Sequence, residues 1–208
     1  MQASRYWRMD DFDGIELLRA SGSRHRYARH SHEGYAIGVV EAGAHAFTAR
    51  GATWTAVPGQ IVVVNPDAAH DGHPAARDGS YSYRMLYVDA DTVATAADAA
   101  AGRRVGLPSF AAAVVTDAPL AARLLQLHRG LELPEARLER DTLLLAILAD
   151  LARRHGGGVP DDHRHDPARR DIAPALEYLR EHFAEEIPLA TLAELAGMDR
   201  FRLVRGFR

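Results

Sequence analysis

The sequence predicts an α+β protein: an N-terminal antiparallel strand module, a helical hairpin, and a small all-α module that begins a helix-turn-helix. Three observations predict it. Short apolar runs punctuated by glycine and proline fill the stretch from Ile15 to Asp89. Beyond Pro108 the apolar residues recur at helical instead of alternating spacing. A glycine-rich, charged segment starting at Gly156 then separates a short arginine-rich end from everything before it.

The strand module rests on the runs YAIGVV, AHAFTA, TWTAV, QIVVVN and YSYRMLYV. Runs of this length, closely spaced and bounded by turn residues, fit an antiparallel sandwich or barrel. In the last run Tyr81, Tyr83, Met85 and Tyr87 alternate along one face, as cavity-lining residues or as one side of a half-buried strand. An alanine-rich stretch containing Gly102 and Pro108 reads as a transition. Leu120, Leu124, Leu127 and Leu131 then mark one helix. The block from Glu135 to His155, with Leu138, Leu144, Leu145, Ile147, Leu148 and Leu151, marks a second. Pro134 stands between them, so the two are expected to fold back as an antiparallel hairpin. The second helix is apolar over more than one stripe, which asks for two burial partners: the strand module and a second subunit.

Composition narrows the function classes. With 208 residues, 47% of them hydrophobic, the chain can bury a substantial core. The absence of cysteine removes disulfides, thiolate metal sites and cysteine nucleophiles together, and it fits a reducing compartment. MQASRYWRMDDFDGIEL lacks the continuous apolar stretch of a signal peptide, and nowhere do eighteen apolar residues run together. A cytoplasmic protein with no membrane partner is the expectation. All 25 basic residues are arginine, which in so alanine-rich a chain reads as coding bias and not as a choice of guanidinium chemistry.

GGGVPDDHRHDPARR has no apolar period and reads as a linker. Its His163 and His165 are solvated linker residues in this reading. Ile172, Ala175, Leu176, Leu179 and Phe183 describe an amphipathic helix after it, and Leu189, Leu192, Ala193 and Ala196 describe another that opens on Pro188. Gly197-Met198-Asp199 makes a turn. Asp199 is placed to cap a last helix, whose Leu203 and Phe207 form its apolar face. Arg200, Arg202, Arg205 and Arg208 against a single acid make this end basic in a chain of net charge -3, the footprint of a helix offered to phosphates or base edges.

The combination of H-S-H-E-G-Y, P-G-Q-I-V-V-V-N-P-x-x-x-H, two helices, a linker and LATLAELAGMDRFRLVRGFR resembles the AraC/XylS family of bacterial transcription regulators over nearly the whole chain. The resemblance implies a cupin-like effector-binding β-barrel over residues 1–110, a helical dimerisation hairpin over 111–155, a linker over 156–170 and a DNA-binding module over 171–208. It reaches only the first of the family's two helix-turn-helix motifs. The second, expected after Arg208, is not in the sequence, so weak specific DNA binding is expected of the chain as given. Carried onto this sequence, the recognition helix implies base contacts from Phe201, Val204 and Arg205, with Arg200, Arg202 and Arg208 at phosphates or adjacent bases. Gly206 departs from the larger residue expected and weakens that helix by about 1 kcal/mol relative to alanine.

His30, His32 and His70 fall where metal-binding cupins place three histidine ligands, the first two expected on one strand face. The glutamate of that pattern is missing: its positions are Ala36 and Ile37, and Glu33 is expected to point away. The expectation is therefore an effector site without metal or cofactor, in which His30, His32, Tyr35, His70 and Tyr83 hydrogen-bond a sugar, organic acid or aromatic compound in the barrel mouth. The alternative is a metal-dependent cupin enzyme, a dioxygenase or isomerase, using His30, His32 and His70. The partners implied are a small effector, promoter DNA for the full-length form, and a second copy of the chain through the 119–155 hairpin.

Overall fold

Alternating side chains on the strands build two buried faces back to back. The computed structural model describes residues 3–9, 15–132, 137–157 and 167–207. The chain divides into two compact units, Met1–Pro160 and Asp161–Arg208.

In the first unit the strands are β1 (Ala3–Met9), β2 (Ile15–Ser23), β3 (Tyr27–His30), β4 (Tyr35–Gly43), β5 (His45–Ala49), β6 (Ala52–Ala56), β7 (Ile61–Val64), β8 (His70–Pro74) and β9 (Tyr81–Val88). After them come α1 (Ala90–Ala101), β10 (Val114–Val115), α2 (Ala118–Gly130) and α3 (Arg137–His155). Six strands form one sheet in the order β1-β2-β9-β4-β7-β10, and four form a second in the order β3-β8-β5-β6. Every strand pairing is antiparallel. The two sheets enclose one apolar cluster in a cupin-like barrel, and the helices cover the outer face of the larger sheet around another.

Residue parity decides which cluster a side chain joins. On β7, Ile61 and Val63 face the helices while Val62 and Val64 face the smaller sheet; on β2, Ile15 and Leu17 face the helices while Leu18 and Ala20 face inward. On β4, Tyr35, Ile37 and Val39 belong to the helix side, and Ala36 and Val40 to the barrel side. Gly38 leaves room on the barrel side for a neighbouring strand: a Cβ there would stand 2.1 Å from the Met85 sulfur and 2.2 Å from the Arg84 carbonyl oxygen.

The alanine-rich transition is a helix. Asp89 caps α1 by accepting from the Thr92 N–H at 2.8 Å, and Gly102, at φ 63°, ends it in the left-handed conformation. Its Ala90, Val93 and Ala96 join the same cluster as Leu144, Ile147, Leu148 and Leu151 of α3. Small side chains at these positions let the two helices pack closely, and sequence periodicity is weak where alanine supplies both faces. Much of the apolar surface of α3 is thus taken up within the chain, in one cluster with the sheet, α1 and α2, while Leu145 stays 43% exposed. Asp117 caps α2 through the Leu120 N–H at 3.1 Å and also bonds Arg154 and His155, each at 3.0 Å, which ties the start of α2 to the end of α3. Those partners hold its carboxyl down at about 2.

The second unit contains α4 (Pro167–Glu181), α5 (Leu189–Leu195) and α6 (Arg200–Gly206). Its small core joins Ile172, Ala175, Leu192, Ala193 and Leu203. Phe183, expected on the apolar face of α4, falls beyond the helix end and is 85% exposed. Gly197 turns the chain at φ 60°, and Asp199 accepts from the N–H groups of Phe201 and Arg202, both at 2.9 Å, as the cap of α6.

Candidate functional site

The barrel interior opens into a small cavity of about 50 Å3, and the strands place chemistry on its walls in two tiers. The first tier is the histidine cluster. His30 ends β3, His70 begins β8, and the two are register partners across that pair. His32 lies two residues past the end of β3 and not on it, so its approach to His30 comes from the bend after the strand, not from strand alternation. One ring nitrogen from each of the three lies within 4.8 Å of the others.

Hydrogen bonds fix two of these rings. His30 Nδ1 donates to the Ala28 carbonyl oxygen at 2.7 Å, and His70 Nδ1 donates to the Ala68 carbonyl oxygen at 2.9 Å. A carbonyl only accepts, so in each ring Nδ1 carries a proton and Nε2 is the nitrogen not used in that bond. Burial, and then the neighbouring His70 and His30, push His32 down to about 4. Burial also lowers His70, with His30 adding to it against the opposing Ala68 hydrogen bond and Asp71. Both are neutral at pH 7 and offer acceptors or metal ligands.

The second tier is aromatic. His45, on β5, stacks on Tyr81 at 4.7 Å and 13° and on Tyr83 at 5.4 Å and 12°. It is only 7% exposed, and neither ring nitrogen has a hydrogen-bond partner. Burial drives it down to about 4, with His73 and His70 adding to the effect. Gly72 of β8 makes its position possible, since a Cβ there would come within 2.8 Å of His45 Nε2. Tyr83 donates to the Tyr27 hydroxyl at 3.1 Å, and burial pushes the Tyr83 and Tyr87 hydroxyls well above their ordinary range. Phe47, Val62, Val64 and Met85 complete the apolar wall.

Of the residues expected in the site, the fold brings His30, His32, His70 and Tyr83 to this cavity, along with Met85 and Tyr87. Tyr35 is elsewhere. It belongs to the helix-side cluster, is 1% exposed, and donates to the Pro108 carbonyl oxygen at 2.6 Å while its ring meets Phe110 edge-on. The reason is parity: Ala36 faces the cavity, so Tyr35 cannot. Tyr81 backs His45 without lining the cavity. Sequence reasoning missed Tyr27, His45, Phe47 and Asp71. His45 and Phe47 are two apart on β5, a signal that inward alternation could have exposed.

At the other end of the chain, Arg200, Phe201, Arg202 and Val204 all stand on the exposed surface of α6, Phe201 at 83% exposure. Arg205 lies within α6, though its side chain is outside the described residues, as are Arg208 and the linker histidines His163 and His165. Among the described residues, no helix is long and apolar enough to cross a membrane.

Comparison with known proteins agrees with this architecture. Residues 13–148 match the AraC-like ligand binding domain. The chain is 27% identical over 205 residues to the uncharacterized HTH-type transcriptional regulator YbfI of Bacillus subtilis, covering 98% of this chain and 73% of that protein. Among solved structures it shares its fold with the AraC-like transcriptional activator CuxR, at TM-score 0.56 and 13% identity, over 99% of this chain and 74% of that one. It shares it also with ToxT K231A of Vibrio cholerae, at TM-score 0.56 and 10% identity, over 92% of this chain and 73% of that one. These findings favour the regulator over the metal-dependent cupin enzyme as the reading of the whole chain. The chain belongs to the AraC family of ligand-responsive transcription regulators.

Proposed function

We propose that the effector enters the cavity between the two sheets and is held by polar groups from His30, His32, His70 and Tyr83, with His45 as the anchor at the inner tier. The observation that carries this is His45: a neutral imidazole, buried among aromatic rings, with both nitrogens unpaired. A buried polar group without a partner costs about 1–3 kcal/mol, a cost that a ligand hydroxyl or carboxyl reaching it would remove. The rings of Phe47, Tyr83 and Tyr87 on its wall favour an effector with one flat or apolar face and one polar edge, such as an aromatic acid.

A thermal-shift panel of monosaccharides, hydroxy acids and benzoates tests this. A true effector at one hundred times its Kd stabilises the fold by about 2.7 kcal/mol, and His45→Leu abolishes the shift. A ligand whose shift survives that substitution, and Tyr83→Phe as well, binds elsewhere and sinks the assignment.

The same reading gives α6 the DNA contacts, through Arg200, Phe201, Arg202, Val204, Arg205 and Arg208. Its support is the exposure of an aromatic and two arginines on a capped helix, side chains that a monomer gains nothing by leaving outside. Homodimerisation through the 119–155 hairpin draws on a smaller surface than the sequence suggested, because α1 covers one flank of α3. Among the described residues, α3 presents Leu145, 43% exposed, and Ala146 to the outside, and α2 presents Ala122. Light scattering at tens of micromolar decides it, a strict monomer ruling the hairpin out.

A further inference from the structure

We infer that the first unit carries a second small-molecule site, outside the barrel, for an organic anion with an apolar body. It is a cleft lined by the last turn of α1, the end of α3, the loop from Arg103 to Ser109, and Gly156 and Gly157, where the chain leaves α3. Its volume, about 480 Å3, lies within the range of about 300–1,000 Å3 usual for small-molecule pockets, against about 50 Å3 for the barrel cavity. The sequence explains the opening. At this end α1 brings Ala97, Ala100 and Ala101 and α3 brings Ala152, so neither helix offers an apolar side chain long enough to fill the space. Leu107 and Pro108 add apolar wall. Gly156 lets the chain run close to that wall: a Cβ there would stand 2.5 Å from the Ala152 carbonyl oxygen and 3.1 Å from the Pro108 Cβ.

The charge at this cleft is cationic. Two helices end here, and their carbonyl ends favour cations, which accounts for arginine at this place but not for its being left without a counter-ion. Arg103 is exposed, and among the described residues no ion pair or hydrogen bond engages it. Arg153, with its side chain 57% exposed, gives one Nη2–H to Asp150 at 2.9 Å, and that carboxylate is shared with Arg123. The rest of its planar fork is open to a ligand. The nearby acid, Asp98, is engaged by the N–H groups of Val105 at 2.7 Å and Gly106 at 3.3 Å, which shapes the loop that carries Arg103. Ser109, 5% exposed, adds a hydroxyl without a hydrogen-bond partner. Guanidinium donors beside an alanine, leucine and proline wall suit a carboxylate, sulfonate or phosphate on a flat or aliphatic body. The position also gives the site a use: the Gly157 N–H donates to the Ser109 carbonyl oxygen at 3.2 Å, and both residues line the cleft, so an occupant holds the root of the linker in place.

The test is isothermal titration calorimetry of the full chain with naphthalene-2-sulfonate, a flat apolar body with one fixed charge. One equivalent should bind, and the uncharged 2-naphthol should bind about tenfold more weakly. Ala100→Trp, which fills the cleft, and Arg103→Glu should each weaken the sulfonate by about tenfold or more, with Arg103→Lys losing less, while His45→Leu leaves its affinity unchanged. Ala100 and Arg103 are both exposed, and circular dichroism checks that their variants fold. No binding, equal affinity for the two probes, or binding that survives both Ala100→Trp and Arg103→Glu overturns the site. Loss in His45→Leu places the sulfonate in the barrel and overturns it as well, and an affinity that falls as protein concentration rises gives the cleft to a second copy of the chain. Hydrogen exchange at the Gly157 N–H should slow with the sulfonate bound; an unchanged rate overturns the hold on the linker root. The site stands or falls apart from the barrel reading, whose own test turns on His45.

Discussion

The two faces of the six-stranded sheet are both buried, yet they are buried by different chemistry. On the helix side, apolar residues of the strands meet Leu120, Leu124 and Leu127 of α2, Leu131 just beyond it and the leucines of α3, and an ion-pair network carries most of the buried charge, while His128 Nε2 is left without a hydrogen-bond partner. Arg84, 7% exposed, pairs with Glu41 at 3.1 Å and with Glu132, and donates to His128 Nδ1 at 3.1 Å. Tyr35 has its carbonyl partner. On the barrel side stand His45 with neither nitrogen paired, a cluster of three histidines on the cavity wall, and Tyr27, Tyr83 and Tyr87. Both faces bury an unpaired imidazole nitrogen, but only that of His45 lies on a cavity wall, where a ligand can reach it. One strand carries both: on β9, Tyr83 and Met85 face the cavity and Arg84, between them, ties the sheet to the end of α2.

The largest test of the contrast removes a matched group. Arg84→Met should destabilise the first unit by about 3 kcal/mol, since two carboxylates lose their shared cation. The lower end of the range for broken buried pairs applies because Arg129, 2.9 Å from Glu41, and Arg19, 3.3 Å from Glu132, still screen them. Both tryptophans, Trp7 and Trp54, lie in this unit, so their fluorescence in urea reads the loss at pH 7.5. A change under 1 kcal/mol would show that the helix side is not held by this network.

The buried histidines predict a dependence on pH, and on the barrel side it falls to His45. Folding depresses His45 from about 6.5 to about 4, so between those values the unfolded chain binds a proton that the folded one refuses. Its contribution to stability is complete above 6.5 and is lost as pH falls toward 4, amounting to about 2 kcal/mol between pH 7.5 and pH 5. His45→Leu should flatten the stability curve by that amount over this window, with His32, His70 and, on the helix side, His128 supplying what remains. A curve of unchanged steepness would mean that His45 is protonated or solvated in the folded chain.

The same two faces explain what the sequence disclosed. Strand runs, the two leucine-rich helices, the turn at Gly197 and the Asp199 cap were legible because apolar period and capping chemistry are local. The α1 helix was not, since alanine carries little contrast between faces, and its packing against α3 arises from contacts across fifty residues. His30, His32 and His70 were legible by spacing and type. Tyr35 was misplaced because its neighbour Ala36 is equally buried, and on a strand buried on both sides hydrophobicity does not report parity. His45 was invisible for a related reason: its importance lies in the absence of a partner, a property of the fold and not of the residue.

The smallest test sets one tyrosine of each face against the other. Tyr35→Phe removes a hydroxyl that donates at 2.6 Å to the Pro108 carbonyl oxygen in a side chain 1% exposed, and should cost about 1 kcal/mol, because that acceptor loses its partner where the tyrosine is buried. Tyr83→Phe removes a hydroxyl that donates to Tyr27, a half-buried residue at the cavity wall whose own hydroxyl can turn to water. It should change stability by less than about 0.5 kcal/mol while weakening effector binding. The pair is informative only together. Equal losses would mean that the barrel side is as tightly matched as the helix side, and the argument for a ligand that completes it would fall. A loss confined to Tyr35 leaves the cavity as the face where stability has been left incomplete.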